Sequence, residues 1–284
     1  MSLLAQVKQA VTNLSPASVR ELAERPFRIG LHAESESFVH DFEKFMLPAT
    51  LSVDKRRTAA RHVLRAAQHP GPFDIEIFEP GLERSAHGFY FDPAHPGQMV
   101  KAVLDAHEPL ALALACNFPP FRTEVVRRSI HTISRENALF SIATAMPNIA
   151  PLLGLGWALG EFASDTAVLT ANQVRLAFLL AAASDRPVGY TEQRGEIASI
   201  IAGAFGWRAI ARELIGKIPL GGGLIPKAAV AYAGTYVMGQ SFERLYRSGY
   251  AFSRQERKSA YVDAYDRGKA IVSAVVDRLR PRHA

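Results

Sequence analysis

The chain has 284 residues, 48% of them hydrophobic and 21% charged, and a formal net charge of +6. That length holds two ordinary domains with a core in each, and that composition excludes the disordered class. A single cysteine, Cys116, excludes an internal disulfide and a multi-cysteine metal site, which fits a reducing compartment; as the end of an apolar run it reads as a small buried hydrophobe.

The amino terminus, MSLLAQVKQAVTNLSP, has polar residues every few positions and does not read as a secretory signal. Residues 2–24 predict two short helices, the second opened by Ser15 and Pro16, with Ser18 and Glu21 also spaced as a capping box; Pro26 ends them. Three short apolar runs follow: FRIGL at 27–31, FDIEIFE at 73–79 and LALALAC at 110–116. We read them as strands, the third as a central one because it is apolar throughout. SFVHDFEKFML, KRRTAARHVLRAAQ and PGQMVKAVLDAHE between them have helical spacing. Strands alternating with helices predict a small, three-stranded, mostly parallel α/β sheet.

Beyond NFPPFR at 117–122 no convincing strand recurs, and the rest predicts an all-α region. Arg122–Ser134 is amphipathic. The 24 residues from Asn137 to Gly160 carry no formal charge, enough to cross a bilayer, yet Pro147, Asn148, Pro151, Gly154 and Gly156 interrupt them. A broken hairpin, buried or dipping into a membrane, fits as well as a straight span. Glu161–Ala183 predicts a further helix, EIASIIAGAFGWRAIARELIG another, and residues 228–242 form a second uncharged run rich in small residues, which let helices approach closely. The closing helix bears an apolar stripe of Tyr261, Tyr265, Val272, Val276 and Leu279. It is also basic: from Glu243 onward there are ten Lys or Arg against five Asp or Glu. That makes anionic lipid a candidate partner, while no nucleic-acid module accompanies the charge. The expected division is 1–24, N-terminal helices; 25–121, α/β domain; 122–284, helical domain.

The turn RIGLHAESES, 28–37, places Gly30, Ser35, Glu36 and Ser37 at the four fixed positions of a phosphate-binding loop, GxxxxGK followed by Ser or Thr. Ser35 stands where the second glycine belongs and Glu36 where the lysine belongs. After the second run, Phe78, Glu79, Pro80 and Gly81 occupy the place of the magnesium-side Asp-x-x-Gly motif. After the third, Asn117 begins an Asn-Lys-x-Asp pattern that continues as Phe118, Pro119 and Pro120. The punctuation of a GTPase is kept and its chemistry lost. At about 4 Å and an effective dielectric near 20 a charge pair is worth roughly 4 kcal/mol, so exchanging attraction for repulsion moves binding by up to about 8 kcal/mol. Micromolar affinity is itself only about 8 kcal/mol. The expectation is a nucleotide-incompetent remnant without a cofactor.

Nine histidines lack the close helical spacing of a metal site, so no metal is expected. HGFYFDPAHPG, 87–97, reads as a surface loop, and KIPLGGGLIPK, 217–227, as a helix cap and tight hairpin rather than a phosphate cradle. On the helix from 161, Glu161, Asp165 and Asn172 recur at steps of four and seven, with Gln173 and Arg175 beside them. Arg135 and Glu136 are candidate partners. If this face is buried, these groups must pair with one another, as a structural network or as a functional site.

ISRENALFSIATAMPNIAP, GEFASDTAVLTANQVRLAFLLAAASDRPVG and the stretch from IAGAFGWRAIARELIG to MGQSFERLY resemble the bacterial helical domain of unknown function 697 over about residues 125–275. That resemblance implies a GTPase-associated domain, often fused to or found beside Era-like GTPase domains and linked to the inner membrane. It supplies no catalytic residues. Together with the altered loop it implies a non-enzymatic, membrane-associated scaffold or regulatory protein, placed in the inner membrane or on its cytoplasmic face, with a GTPase or another protein as partner. Two other expectations stand beside it: an atypical GTP-binding protein, and a soluble, cytoplasmic enzyme with a pocket near Glu161 and Asp165.

Overall fold

A computed structural model of the chain describes residues 15–145, 165–202 and 223–279. They form two compact units: residues 17–127 with 181–187, and the described residues up to 16, from 128 to 180 and from 188 onward.

The first unit is α/β. Helix α1 (Pro16–Ala23) leads into β1 (Ile29–His32), the central strand, which pairs in parallel with β2 (Val63–Arg65) on one side and β3 (Ile75–Phe78) on the other. Strand β4 (Phe89–Tyr90) adds to β3, giving the order β2-β1-β3-β4. The first strand lies inside the sheet, so the chain winds one way to β2 and then back across to β3. Such an order leaves a crevice beyond the carboxyl ends of β1 and β3. Alternation puts Ile29, Leu31, Ile75 and Ile77 on one buried face. Helix α2 (Glu36–Met46) buries Phe38, Val39, Phe42 and Met46. The Phe91 ring wedges against Phe38 and Phe42 at centroid distances of 5.8 and 5.1 Å; truncating a ring buried this well costs about 3–5 kcal/mol.

The opposite face carries Gly30, His32, Glu76 and Phe78, and no helix crosses it on the way from β2 to β3 or from β3 to β4. Residues 66–74 and 79–88 make these two crossovers as irregular chain, where parallel strands usually use a helix. They stay close because glycine admits them: a Cβ at Gly30 would lie 2.4 Å from the Phe73 ring, and one at Gly88 2.4 Å from Phe78.

Four expectations change here. The sheet has four strands, not three. LALALAC is not a strand: Glu108–Leu110 make a 3₁₀ turn and Ala111–Asn117 helix α5. Its Leu and Ala are strong helix formers without β-branching, and a run buried on all sides has no periodicity to separate strand from helix. KRRTAARHVLRAAQ is divided: α3 (Val53–Ala60), capped by Ser52, stops, and Val63–Arg65 becomes β2 because β1 has a free edge beside it. HGFYFDPAHPG is likewise part loop and part structure, since Phe89 and Tyr90 form β4 and Phe91 is 1% exposed. Helix α4 (Pro96–Ala106) follows, with proline in its first turn.

The second unit is helical. Helix α6 (Pro119–Ala145) starts in the α/β unit, runs beyond the predicted Ser134, and takes up the first residues of the uncharged run; the rest of that run, 146–160, lies outside the described residues. Helix α7 (Asp165–Ala183), a helical stretch at 194–202, α8 (Leu224–Ser248) and α9 (Arg254–Leu279) follow. α8 and α9 form an antiparallel hairpin. Gly249 closes α8 in the left-handed region at φ 82°, and Ser253 and Glu256 open α9 as a reciprocal capping box at 3.3 and 2.8 Å. Arg244 and these Ser253 contacts hold the Glu256 carboxyl down to about 2. The uncharged run 228–242 lies within α8, where Ala228, Tyr232, Ala233 and Val237 are 0% exposed. KIPLGGGLIPK is described only from Gly223, which caps α8.

Candidate functional site

The crevice between β1 and β3 is where a sheet of this order presents a ligand to a helix amino terminus. Here β1 continues through His32, so Gly30 lies within a strand and only Ala33, Glu34 and Ser35 are left to turn into α2. Ser35, in the slot of the second glycine, is the α2 N-cap; its Oγ accepts from the Phe38 amide at 3.3 Å. Ser37 Oγ lies 3.4 Å from that oxygen. The short turn still aims two amides outward. Both donate to the Glu79 carboxylate: Glu34 N at 2.7 Å and Ser35 N at 3.0 Å, with Ser35 Oγ donating to its other oxygen at 2.5 Å. Consecutive amides of this kind form an anion-binding nest. The anion in it is the protein's own, and these three donors hold its carboxyl below the usual carboxylate range.

The lysine slot has a second internal solution. Glu36 is exposed, and Arg65 of β2 holds it in a two-pronged pair at 2.5 and 2.8 Å. Its charge is therefore matched, and the acidic group facing the turn amides is Glu79 instead. Sequence reasoning had Glu79 only as a spacer in an altered Asp-x-x-Gly. The available signal was its place directly after the strand that neighbours β1. Gly81, at φ 103° with Pro80 before it and Leu82 N donating to Glu79 O at 3.2 Å, completes a tight turn that aims Glu79. The third vestige follows no strand. Asn117 ends α5 and donates back to Ala113 O at 3.0 Å, Phe118 is 0% exposed, and Pro119 starts α6.

Elsewhere in this unit polar groups meet in two clusters, around Glu76 and around Cys116. His32 Nε2 lies 3.1 Å from Glu76, and Ser85 Oγ donates to the other Glu76 oxygen at 2.8 Å. The carboxylate stands between serine and histidine, so the hydroxyl meets Glu76 and not the imidazole. Cys116 lies 3.7 Å from Asp185 and 4.0 Å from Lys55, and burial pushes its thiol up, away from the reactive thiolate. No group of three potential metal-ligating side chains gathers among the described residues.

In the helical unit the expected polar face separates into three parts. Asn172 and Gln173 do enter a buried network, but its centre is Asn137 and Thr235, each 0% exposed. Asn137 Nδ2 donates to Thr235 Oγ1 at 2.8 Å, Gln173 Nε2 donates to the same oxygen at 3.2 Å, and Asn172 Nδ2 donates to Asn137 Oδ1 at 2.8 Å. Thr235 in turn donates to Ala231 O at 3.0 Å, tying α6, α7 and α8. Arg175 and Glu136 pair separately, at 3.2 Å and half-exposed. Arg135 joins neither; it lines a cleft with residues of α8 and α9. Asp165 opens α7, and Glu161 lies outside the described residues. Thr235 was hidden in the sequence because one hydroxyl within AYAGTYV does not disturb an apolar pattern.

No protein-family model, curated protein or solved structure matches this chain. What the turn can do follows from its own geometry: it offers two amides and a hydroxyl to one anion, and Glu79 uses all three.

Proposed function

We propose that this chain is a non-enzymatic scaffolding or regulatory protein whose α/β unit keeps its phosphate-type turn closed with its own carboxylate. One observation carries this reading: Glu79 accepts from the two outward amides of the β1–α2 turn and from the Ser35 hydroxyl. A triphosphate would have to displace a tethered anion and remain beside it, with no lysine at the turn to offset the repulsion. The β1–α2 connection, shortened to Ala33–Ser35, is also too brief to wrap a phosphate chain. The candidate span Thr166–Ala183 adds no membrane attachment to this reading, because 72% of it is buried within the protein, as in the core helix of a water-soluble bundle.

Isothermal titration of GTP and magnesium into the full chain tests it. The wild type is expected to show no saturable binding at micromolar nucleotide. Glu79→Ala, which bares the two amides, is expected to gain weak, millimolar affinity for sulfate or inorganic phosphate. Sub-micromolar GTP binding by the wild type would overturn the reading in favour of an atypical GTP-binding protein.

A further inference from the structure

A second anion-directed feature lies in the helical unit, and here no carboxylate of the described residues is paired with its arginines. His131 and Arg135 stand four residues apart on α6 and so share a face. Ile271, Val275 and Arg278 follow at steps of four and three on α9, and Tyr232 of α8 forms the floor. These residues line a cleft of about 410 Å³, within the range of small-molecule pockets.

Its walls are apolar and its mouth is cationic. Arg135 and Arg278 are exposed. Among the described residues neither has an ion-pair partner, whereas Arg65, Arg122, Arg127, Arg175 and Arg244 are all paired with carboxylates. Asp277, beside Arg278 in sequence, points about 100° further round the helix and has an interaction of its own. The floor is held in place: Tyr232 Oη lies 3.1 Å from His131 Nδ1, Tyr236 stacks on Tyr232 at 5.7 Å, and Arg267 donates to the Tyr236 hydroxyl at 2.7 Å. Gly268 lets α9 approach, since a Cβ there would lie 3.0 Å from Tyr232. The site is thus preorganised, with two guanidinium groups that have no carboxylate partner among the described residues over an aliphatic wall.

A carboxylate is satisfied by one guanidinium fork. A phosphate ester presents more oxygens and, as a monoester, about −1.5 to −2 charge at neutral pH, which suits two forks. We propose that this cleft binds a phosphate ester, its phosphoryl group held by Arg135 and Arg278 and its apolar substituent lying on Ile271 and Val275. Such a group can be a phospholipid headgroup or a soluble organic phosphate.

The test is calorimetric titration of the full chain at low salt with phenyl phosphate, inorganic phosphate and benzoate. Phenyl phosphate is expected to bind one per chain and at least tenfold tighter than either of the others. Arg135→Gln and Arg278→Gln should each weaken it tenfold or more, with circular dichroism unchanged because both side chains are exposed; the lysine variants should fall between. Phosphatidylglycerol in phosphatidylcholine vesicles supplies the second arm. Vesicle binding that competes with phenyl phosphate, or replaces it, and is lost in the arginine variants assigns a lipid headgroup. Phenyl phosphate binding without vesicle competition assigns a soluble ester. The proposal is overturned if neither ligand binds saturably, if both glutamine variants bind as the wild type does, or if benzoate matches phenyl phosphate.

Discussion

The Glu79 carboxylate, held by two amides and the Ser35 hydroxyl, keeps its charge further into acid than an unrestrained glutamate does. A carboxyl whose value is lowered by folding contributes stability above its unfolded value and loses that contribution as pH falls through the folded one. Glu79→Gln should therefore be less stable than the wild type above about pH 4.3, the ordinary value for glutamate. The gap should close on further acidification. Urea unfolding midpoints measured from pH 7 down to pH 3 check this; a gap that stays constant with pH would show that the charge contributes nothing. The absent lysine of the turn was legible in the sequence, because GxxxxGK is a spacing within one segment. Glu79 was not, because its donors Glu34 and Ser35 are 45 and 44 residues away. Nor was the neutralisation of Glu36, which depends on β2 bringing up Arg65.

At the level of elements, small residues set how closely the helices of the second unit approach. A Cβ at Gly239 of α8 would lie 2.8 Å from Ile130 Cγ1 on α6 and 3.1 Å from Leu176 Cδ2 on α7. On helix propensity alone Gly239→Ala should stabilise by about 0.5–1 kcal/mol. Overpacking costs about 1–3 kcal/mol and should win, because the contact falls on branched side chains from two helices that cannot both withdraw. Thermal unfolding of the variant is expected to show a lower midpoint, and Ile130→Val in the same chain should recover part of it. The wealth of Gly and Ala in residues 228–242 already pointed to close packing. The run at 110–116 was misleading for the opposite reason, being so uniformly apolar that its burial concealed its period.

Across the whole molecule, the chain returns to its first unit after building part of the second. Residues 181–187 pack in the α/β unit. Helix α7 ends there with Asp185 in the left-handed region at φ 57°, its carboxylate 2.6 Å from Lys55 and 3.5 Å from Arg122. Asparagine tolerates that backbone, so Asp185→Asn should lose only the ion pairs, about 1 kcal/mol for partly exposed groups. Asp185→Ala should lose a further 1–2 kcal/mol or so from left-handed strain. Chemical denaturation of both variants decides it; equal losses would mean that the backbone strain is immaterial.

A domain boundary drawn at 121 in the sequence therefore leaves residues 122–127 and 181–187 of the first unit on its far side. Local chemistry was readable in one dimension: the alternation of strand and helix before about residue 120, the helices of the described residues beyond it, the serine and proline signals that start α1, and a phosphate turn without its lysine. Each of these rests on residues within a few positions of one another. Tertiary structure alone decided which carboxylate reaches the turn, which edge turned Val63–Arg65 into a strand, that Asn137 and Thr235 centre the polar network, and that Arg135 and Arg278 line one cleft. Those outcomes depend on side chains that meet only after the backbone has folded, and a linear pattern carries no distance between them.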